Sequence, residues 1–319
     1  MANLLPLKWK FRLFLSLCLT VLILWQLVKF VGSKELFAAF NVIKLKYALI
    51  ALLLSLSFPF ICALRWHFVL RATGQRIPIL NCLILIMGAW PLNIFLPSRT
   101  GDFFKVAFVS KSNSKSMVFG SIVAEKILDV GCLALIGLLG AIAIKNKTFA
   151  IVFIGLLILV AILNQGLWLF KKLLRENKSP LLDKANLVIE GTNILSSCPK
   201  YAAIAASFSS INWFLSVVQA LLFFKAFGIN IPLIETAARL PLSIFIGVLP
   251  ITLAGIGTRD AAMIFFFKSF APAGIILGVA ILYSLYSYFL YATLGIPFFI
   301  YLVNRKSRYG YKGASIAKD

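Results

Sequence analysis

The chain has 319 residues, of which 61% are hydrophobic and 13% charged, and 32 Lys and Arg outnumber 10 Asp and Glu for a net charge of +22. An average soluble domain is near half apolar and about a quarter charged, so this composition argues against a soluble globular fold. The basic residues lie between long apolar runs instead of on a polar domain, which indicates a membrane protein and argues against a nucleic-acid partner.

Six apolar runs predict transmembrane helices, because about 20 apolar residues at 1.5 Å per residue cross the hydrocarbon core of a bilayer. These runs are residues 12–31, 47–70, 117–144, 149–170, 201–227 and 272–302. The first follows a basic segment and is longer than the apolar part of a signal peptide, so we expect it to remain as a signal anchor.

Two further apolar stretches, 79–110 and 232–267, are interrupted by prolines. These are Pro91, Pro97, Pro241 and Pro250. Because proline lacks an amide donor and kinks or ends a helix, we expect each stretch to form a broken, re-entrant hairpin. Broken helices at membrane depth are tolerated where protein or a polar cavity surrounds them.

The positive-inside rule gives the orientation. If each broken stretch crosses the membrane an even number of times, most basic groups, Lys105 among them, face the cytoplasm. The prediction is therefore an all-α integral membrane protein of the inner (cytoplasmic) cell membrane, with both termini cytoplasmic. It forms one polytopic domain, 1–319, with six transmembrane helices, two re-entrant hairpins, a cytoplasmic polar loop at 171–200 and a short basic tail at 303–319.

The two broken stretches resemble each other. Each begins with Gly-x-x-x-Pro, at Gly74 and Gly228, and each continues to a Leu-Pro step followed by glycine, arginine and aspartate. We interpret this as an internal repeat of approximately 47–144 and 201–302. On the predicted topology the two copies are inverted, which is the architecture of many transporters.

Four of the ten acidic residues fall in membrane-embedded segments or at their breaks, namely Asp102, Glu125, Asp129 and Asp260. An ionised side chain at the bilayer centre costs about 2.5–3.5 kcal/mol, so such residues usually face a cavity and pair with one another. Glu125 and Asp129 share one helical face, with Lys126 three residues from Asp129. They either line a path for substrate or ions or form a structural cluster of ion pairs.

Two arginines follow the breaks, Arg99 with Asp102 and Arg259 with Asp260. A half-helix that begins there presents free amides and a partial positive charge, and a nearby arginine adds planar recognition of phosphate. This predicts binding of a lipid phosphate. The alternative is that each arginine pairs with its neighbouring aspartate or reaches the headgroup level, as we also expect of Arg65.

The cysteine and histidine content predicts neither a metal site nor a cofactor. The five cysteines form no CxxC pair, and His67 is the single histidine. The sequence therefore lacks the residue patterns of a zinc site, a disulfide framework or a His-based catalytic triad.

Three motifs, Leu96–Asp102, Ala124–Asp129 and Leu249–Asp260, together resemble the lysylphosphatidylglycerol synthase transmembrane family. Aspartates stand at 102 and 260 where the family usually has glutamates, and Lys126 stands where it has arginine. The resemblance implies a flippase-like membrane domain that moves a lipid between leaflets. It does not imply the synthase reaction, which belongs to a separate soluble domain.

We therefore predict a flippase-like transporter, and not an enzyme, for a phospholipid or lipid-linked anionic substrate, with rocking of one repeat against the other alternating access. The predicted substrate-binding residues are Arg99, Asp102, Glu125, Lys126, Asp129, Arg259 and Asp260. Membrane lipids are the expected partners, and a homo-oligomer is left open. The alternatives are an integral-membrane transferase acting on a lipid-linked substrate and an accessory subunit that does not transport.

Overall fold

The computed structural model describes residues 7–108, 112–174 and 180–313. Side chains are described within these ranges except at 7–13, 95, 97–99, 112–114, 164–174, 180–185 and 306–313. The described residues form helices and no strands, which confirms the predicted all-α integral membrane fold.

The helices are numbered in chain order. They are α1 (Leu7–Val31), α2 (Ser33–Asn41), α3 (Leu45–Ser55), α4 (Phe58–Ala72), α5 (Ile79–Phe95), α6 (Ser112–Ala143), α7 (Lys147–Leu174), α8 (Pro180–Thr192), α9 (Ile194–Ser197), α10 (Pro199–Ala226), α11 (Leu233–Val248), α12 (Thr258–Phe267), α13 (Ala273–Ser284) and α14 (Leu290–Gly313). Two 3₁₀ helices, Pro97–Phe108 and Leu253–Gly255, and a π-helical turn, Leu285–Phe289, complete the set.

Five helical segments are long and apolar enough to cross a membrane, and they match five of the six predicted spans. They are Phe14–Val31, Leu45–Ala72, Lys115–Ala143, Pro199–Ala226 and Ala273–Arg305. The sixth predicted span, 149–170, is part of α7, whose apolar portion with described side chains is Lys147–Leu163. Large apolar side chains such as Leu53 and Leu139 are exposed on these helices, as contact with lipid tails requires.

Each interrupted stretch breaks at only one of its two predicted prolines. Helix α5 continues through Pro91 and α11 through Pro241, so the expected breaks at these residues are wrong. The helices end instead just before Pro97 and Pro250. Neighbouring helices at membrane depth can satisfy the backbone groups that an internal proline leaves free, which makes such prolines tolerable.

The segments on either side of each break are short. Helix α11 has 16 residues and α12 has 10, which correspond to about 24 Å and 15 Å, against about 30 Å for the hydrocarbon core. The first stretch continues after its break as the 3₁₀ helix Pro97–Phe108, not as the expected α-helical half. Re-entry of either stretch from one side of the membrane stays a prediction.

Left-handed backbone conformations shape the second break. Ala254, Gly255 and Gly257 have φ values of 52°, 74° and 95°. A Cβ atom at Gly255 would lie 2.3 Å from the carbonyl oxygen of Gly247 in α11. Gly255 therefore permits both the turn and the close return of the chain onto α11, against which α12 also packs.

The chain divides into two compact units, each built from three separate stretches. Unit 1 comprises Met1–Leu56, Trp90–Gly101 and Leu215–Leu294. Unit 2 comprises Ser57–Ala89, Asp102–Phe214 and Gly295–Asp319. In unit 1, α12 packs on α11 and α13, and in unit 2, α6 packs on α7 and α8. The predicted repeat and single domain stay predictions.

Glycines bring α6 and α8 into backbone contact within unit 2. A Cβ atom at Gly120 would lie 2.0 Å from the carbonyl oxygen of Val188, and one at Gly191 would lie 2.1 Å from that of Met117. Small residues permit such close approach of membrane helices. The stretch 171–200, predicted as a polar loop, thus contains a helix that is tightly packed on a membrane span.

Candidate functional site

Unit 2 contains a buried ionic cluster around Arg65 of α4. The Nε and Nη2 atoms of Arg65 donate to Oε1 of Glu125 at 2.9 and 2.6 Å. Its Nη1 atom donates to Oδ1 of Asp129 and, at 2.9 Å, to Oγ of Ser209. We call these four residues the Arg65 cluster. It joins α4, α6 and α10, and the side chains of Arg65 and Glu125 are 5% and 4% exposed.

The expectation that Arg65 reaches the headgroup level is therefore wrong. Its position at the end of an apolar run suggested an interface, but two carboxylates on the facing helix hold the guanidinium inside the bundle. Glu125 and Asp129 do lie on one face of α6, as their spacing predicted, because both contact the same side chain. The cluster thus holds one cation between two carboxylates of α6, with an uncharged serine from α10 as a further partner.

Lys126 does not pair with Asp129, although it lies three residues away. It forms an ion pair with Asp102, which lies on the 3₁₀ helix that follows the first break. The Lys126 side chain is 37% exposed, so this pair is more accessible than the Arg65 cluster. The structure thereby links two predicted site residues that the sequence separates by 24 positions.

Lys105 lies on the same 3₁₀ helix and is only 2% exposed. Its Nζ atom lies 4.5 Å from the centre of the Trp66 ring. The 3₁₀ helix turns the side chain of Lys105 into unit 2, whereas its position on the cytoplasmic side of the membrane stays a prediction. A lysine on the surface of a loop would not be enclosed in this way.

Unit 1 contains a second buried ionic cluster, in the first turn of α12. The Nε and Nη2 atoms of Arg259 donate to Oδ1 of Asp260 at 3.2 and 2.6 Å, and Nη2 also donates to Oγ of Ser284 at 2.5 Å. Both charged side chains are 2% exposed. The rings of Tyr283 and Tyr288 lie 4.8 and 5.4 Å from Cζ of Arg259. We call these five residues the Arg259 cluster.

Asp260 has two functions in this cluster. Besides binding Arg259, its Oδ2 atom accepts a hydrogen bond of 3.0 Å from the amide of Gly257 at the beginning of α12. The pairing of the arginine with its neighbouring aspartate, one of the two sequence interpretations, is thus present. One donor of Arg259 remains unused, because its Nη1 atom is buried and no described residue accepts a hydrogen bond from it.

The first break is described less fully, because the side chain of Arg99 lies outside the described residues. The backbone shows a close return of the chain, since a Cβ atom at Gly101 would lie 2.6 Å from Oδ1 of Asn93 in α5. The expected pairing of Arg99 with Asp102 and its binding of phosphate stay predictions.

A row of polar side chains inside unit 1 was missed by the sequence interpretation. Gln219 donates to Ser55 Oγ at 2.6 Å and accepts from Ser287 at 3.5 Å, while the Tyr291 hydroxyl donates to the Ser55 carbonyl oxygen at 2.8 Å. The available signal was the run of serines and tyrosines at 283–291 within an otherwise apolar span. Buried polar residues in a membrane span need such partners.

An apolar cavity of about 400 Å³ lies in unit 2 beside the Arg65 cluster. Ala124, Leu128 and Cys132 line it at successive turns of α6, each next in sequence or close to Glu125 and Asp129. Its other walls come from α7, α10 and the segment 192–196. The polar cluster and a space suited to hydrocarbon therefore lie on adjoining faces of one helix.

Among the described residues, no group of His, Cys, Asp or Glu is arranged to hold a metal ion. His67 is buried and its Nδ1 atom lies 2.7 Å from the carbonyl oxygen of Ile77. This contact accounts for the histidine as a packed residue of unit 2.

Residues 13–295 match the family described as the lysylphosphatidylglycerol synthase TM region. The chain belongs to this family. The match includes both ionic clusters and confirms the resemblance seen in the sequence motifs. A relative, a UPF0104 membrane protein of Methanocaldococcus jannaschii, is 24% identical over 309 residues, which cover 88% of this chain and 91% of that protein.

Proposed function

We propose that the protein is a flippase-like transporter that moves a phosphate-bearing lipid between the leaflets of the cell membrane. The observation that carries this proposal is the Nη1 atom of Arg259, which is buried and has no hydrogen-bonding partner in the described part of the chain, while Asp260 and Ser284 hold Nε and Nη2 in place. A fixed guanidinium with free N–H groups in an apolar protein is suited to a phosphate oxygen.

The pairing with Asp260 favours release as well as binding. An isolated buried cation would hold a phosphate tightly, whereas the Arg259–Asp260 pair is neutral as a whole and offers only the hydrogen bonds that remain. The short helix α12 adds a partial positive charge at its N-terminus, which begins in the second break. Moderate affinity is what a carrier of lipid requires, because the substrate has to leave on the other side.

The Arg65 cluster of unit 2 also contains an unused group. Oε2 of Glu125 is buried and has no hydrogen-bonding partner among the described residues, so it can accept a hydrogen bond from a headgroup or can bind a coupling proton. The adjoining apolar cavity can take part of an acyl chain. Among the described residues, each unit thus contains at least one buried polar group whose hydrogen-bonding capacity is unused.

Reconstitution in liposomes tests the proposal. A phospholipid with a fluorescent label is placed in both leaflets, and a membrane-impermeant reductant added outside bleaches inner-leaflet label only as it is translocated. We expect bleaching beyond the half in the outer leaflet with the native protein, a loss of at least about tenfold in rate for Arg259→Ala, and partial activity for Arg259→Lys. The exposed Arg71→Ala is the matched control. Equal rates in Arg259→Ala and native protein would refute the assignment.

The unpaired oxygen of Glu125 also favours a second candidate, an integral-membrane transferase in which this carboxylate acts as general base. Such an enzyme would convert a lipid-linked substrate to a covalent product. Incubation of the purified protein with lipid extract, followed by mass spectrometry, separates the two candidates, because a transporter leaves the lipids chemically unchanged.

An accessory role receives less support from the packing. Gly120 and Gly137, two glycines suited to pairing with a partner helix, are both in use within the chain. Gly120 contacts α8, and a Cβ atom at Gly137 would lie 2.3 Å from the ring of Phe153 in α7.

A further inference from the structure

Lys105 is a buried cation without a carboxylate. Ion pairs hold four other basic side chains that are buried or half-buried, namely Arg65, Lys126, Arg239 and Arg259. Among the described residues, by contrast, none accepts a hydrogen bond from Nζ of Lys105, which lies over the Trp66 ring. An enclosed ammonium without an acceptor is unfavourable in a membrane protein, so an acceptor from outside the chain is expected.

Trp66 provides a second unused donor at the same place. Its side chain is completely buried, and its Nε1–H donates to none of the residues that the structure describes. Because Nζ of Lys105 lies 4.5 Å from the centre of the ring that carries Nε1, the two donors are close together. Two neighbouring donors, one of them fully charged, match two oxygens of one phosphate group.

The charges around this pair restrict the ligand further. The side chains of unit 2 that interact here comprise three bases and three acids, namely Arg65, Lys105, Lys126, Asp102, Glu125 and Asp129. The charge of Lys105 acts on Glu125, whose Oε2 atom is the unused acceptor. A ligand that brings an acceptor for Lys105 and a donor for Glu125, and is itself neutral overall, satisfies both without unbalancing the site.

We propose that unit 2 binds a zwitterionic phosphoester headgroup, with its phosphate on Lys105 and Trp66 and its ammonium on Glu125. This inference names the class of headgroup and adds a second phosphate position, in unit 2, to the one proposed on Arg259 in unit 1. It rests on the proposed function for the lipid as the source. The apolar cavity on the adjoining face of α6 accommodates hydrocarbon of the same ligand. None of the sequence motifs includes Lys105 or Trp66, because their pairing depends on the 3₁₀ helix.

Binding is measured without transport, by native mass spectrometry of the full chain in a neutral detergent. The probes are dioctanoyl phosphatidylethanolamine, dioctanoyl phosphatidylcholine, dioctanoylglycerol and free phosphoethanolamine. We expect phosphatidylethanolamine to bind. Phosphatidylcholine, whose ammonium has no hydrogen to donate, binds several-fold more weakly, and dioctanoylglycerol, which lacks phosphate, more weakly still. Free phosphoethanolamine that binds as tightly as the lipid would overturn the membrane as the source.

The variants test the two donors separately. Lys105→Met is expected to lower the affinity for phosphatidylethanolamine about tenfold or more, and Trp66→Phe, which keeps the ring and removes the N–H, by a few-fold. Lys105→Arg retains the charge and most of the affinity. Lys147→Met removes an exposed lysine as the matched control and leaves binding unchanged.

Thermal unfolding in the same detergent guards against misfolded variants. Phosphatidylethanolamine should raise the unfolding temperature of native protein and of Trp66→Phe, and it should no longer do so in Lys105→Met. Unchanged affinity in Lys105→Met, or equal affinity for phosphatidylcholine, would overturn the inference. The Arg259→Ala transport result does not enter this measurement, so failure of transport and failure of headgroup binding are distinguished.

Discussion

The two buried ionic clusters each bind a buried arginine, but their partners come from different distances along the chain. Arg65 reaches partners that lie 60, 64 and 144 residues away in the chain, on two other helices. Arg259 takes as its partner the next residue, Asp260, and adds only Ser284 from α13. The first cluster joins three helices, whereas in the second the ion pair itself lies within a single turn of α12, and the uncharged partners come from the segment 283–288.

The difference indicates in which cluster the arginine is fully bonded to the protein and in which it retains a free donor for a ligand. All three guanidinium nitrogens of Arg65 are used by the protein, and what remains unused there is the acceptor Oε2 of Glu125. In the Arg259 cluster the unused atom is the donor Nη1. A long-range cluster should therefore respond to mutation mainly through stability, and the local one through both stability and transport.

The largest effect is expected from Arg65→Met. It leaves Glu125 and Asp129 as facing, uncompensated carboxylates inside the bundle, and we expect a loss of about 3–5 kcal/mol in the free energy of unfolding. Chemical unfolding in mixed micelles measures it, with the exposed Arg71→Met as control. A loss no larger than in the control would show that the helices are held together without these ion pairs.

A smaller loss is expected from Asp260→Ala. Arg259 keeps its contacts with Ser284 and the two tyrosine rings, and the Gly257 amide loses its acceptor. We therefore expect a loss of about 2–3 kcal/mol in the free energy of unfolding. Asp260→Asn preserves an acceptor and should lose less. If Asp260→Ala matched Arg65→Met in stability, the distinction between a local and a long-range cluster would be lost.

Glu125→Gln removes one charge from the Arg65 cluster and keeps a hydrogen-bond acceptor at that position. The amide oxygen can still accept from Nε and Nη2 of Arg65, and Asp129 still balances the guanidinium. We expect a loss of about 1–2 kcal/mol in stability, measured by the same unfolding assay. A loss as large as that of Arg65→Met would contradict the presence of a second carboxylate partner.

The smallest effect is expected from Lys126→Met. Its ion pair with Asp102 is accessible, with the lysine side chain 37% exposed, and accessible pairs contribute less than about 1 kcal/mol. The same unfolding assay at low and at high salt should show a salt-dependent change in stability for Lys126→Met and little salt dependence for variants of the Arg65 cluster. A salt-independent loss of several kcal/mol would place Lys126 with the buried charges.

The sequence was informative where apolar length decides the structure. Five spans, the break before Pro250 and the shared face of Glu125 and Asp129 follow from run length, proline chemistry and helical periodicity. It was misleading for basic residues that could lie either at the membrane interface or against other side chains inside the protein. Arg65 and Lys105 both lie beside polar segments, and only the facing helices determine that they turn inward.

The breaks show the same limit at the level of the backbone. Pro91 and Pro241 resemble Pro97 and Pro250 in sequence context, yet the helices continue through the first two. What distinguishes Pro250 is the backbone beyond it, where the left-handed residues Ala254 and Gly255 turn the chain. The 3₁₀ helix after Pro97 had no periodic signal, and its placement of Lys105 and Asp102 depended on tertiary contacts.

The π-helical turn Leu285–Phe289 has a consequence for the register of the last span. A π turn carries one residue more than an α-helical turn, and each residue advances a helix by about 100°. Deletion of one residue there would regularise the helix and rotate Tyr291 away from the Ser55 carbonyl oxygen that it binds at 2.8 Å. The hydrogen bonds of the polar row in unit 1 thus depend on the single extra residue of the π-helical turn.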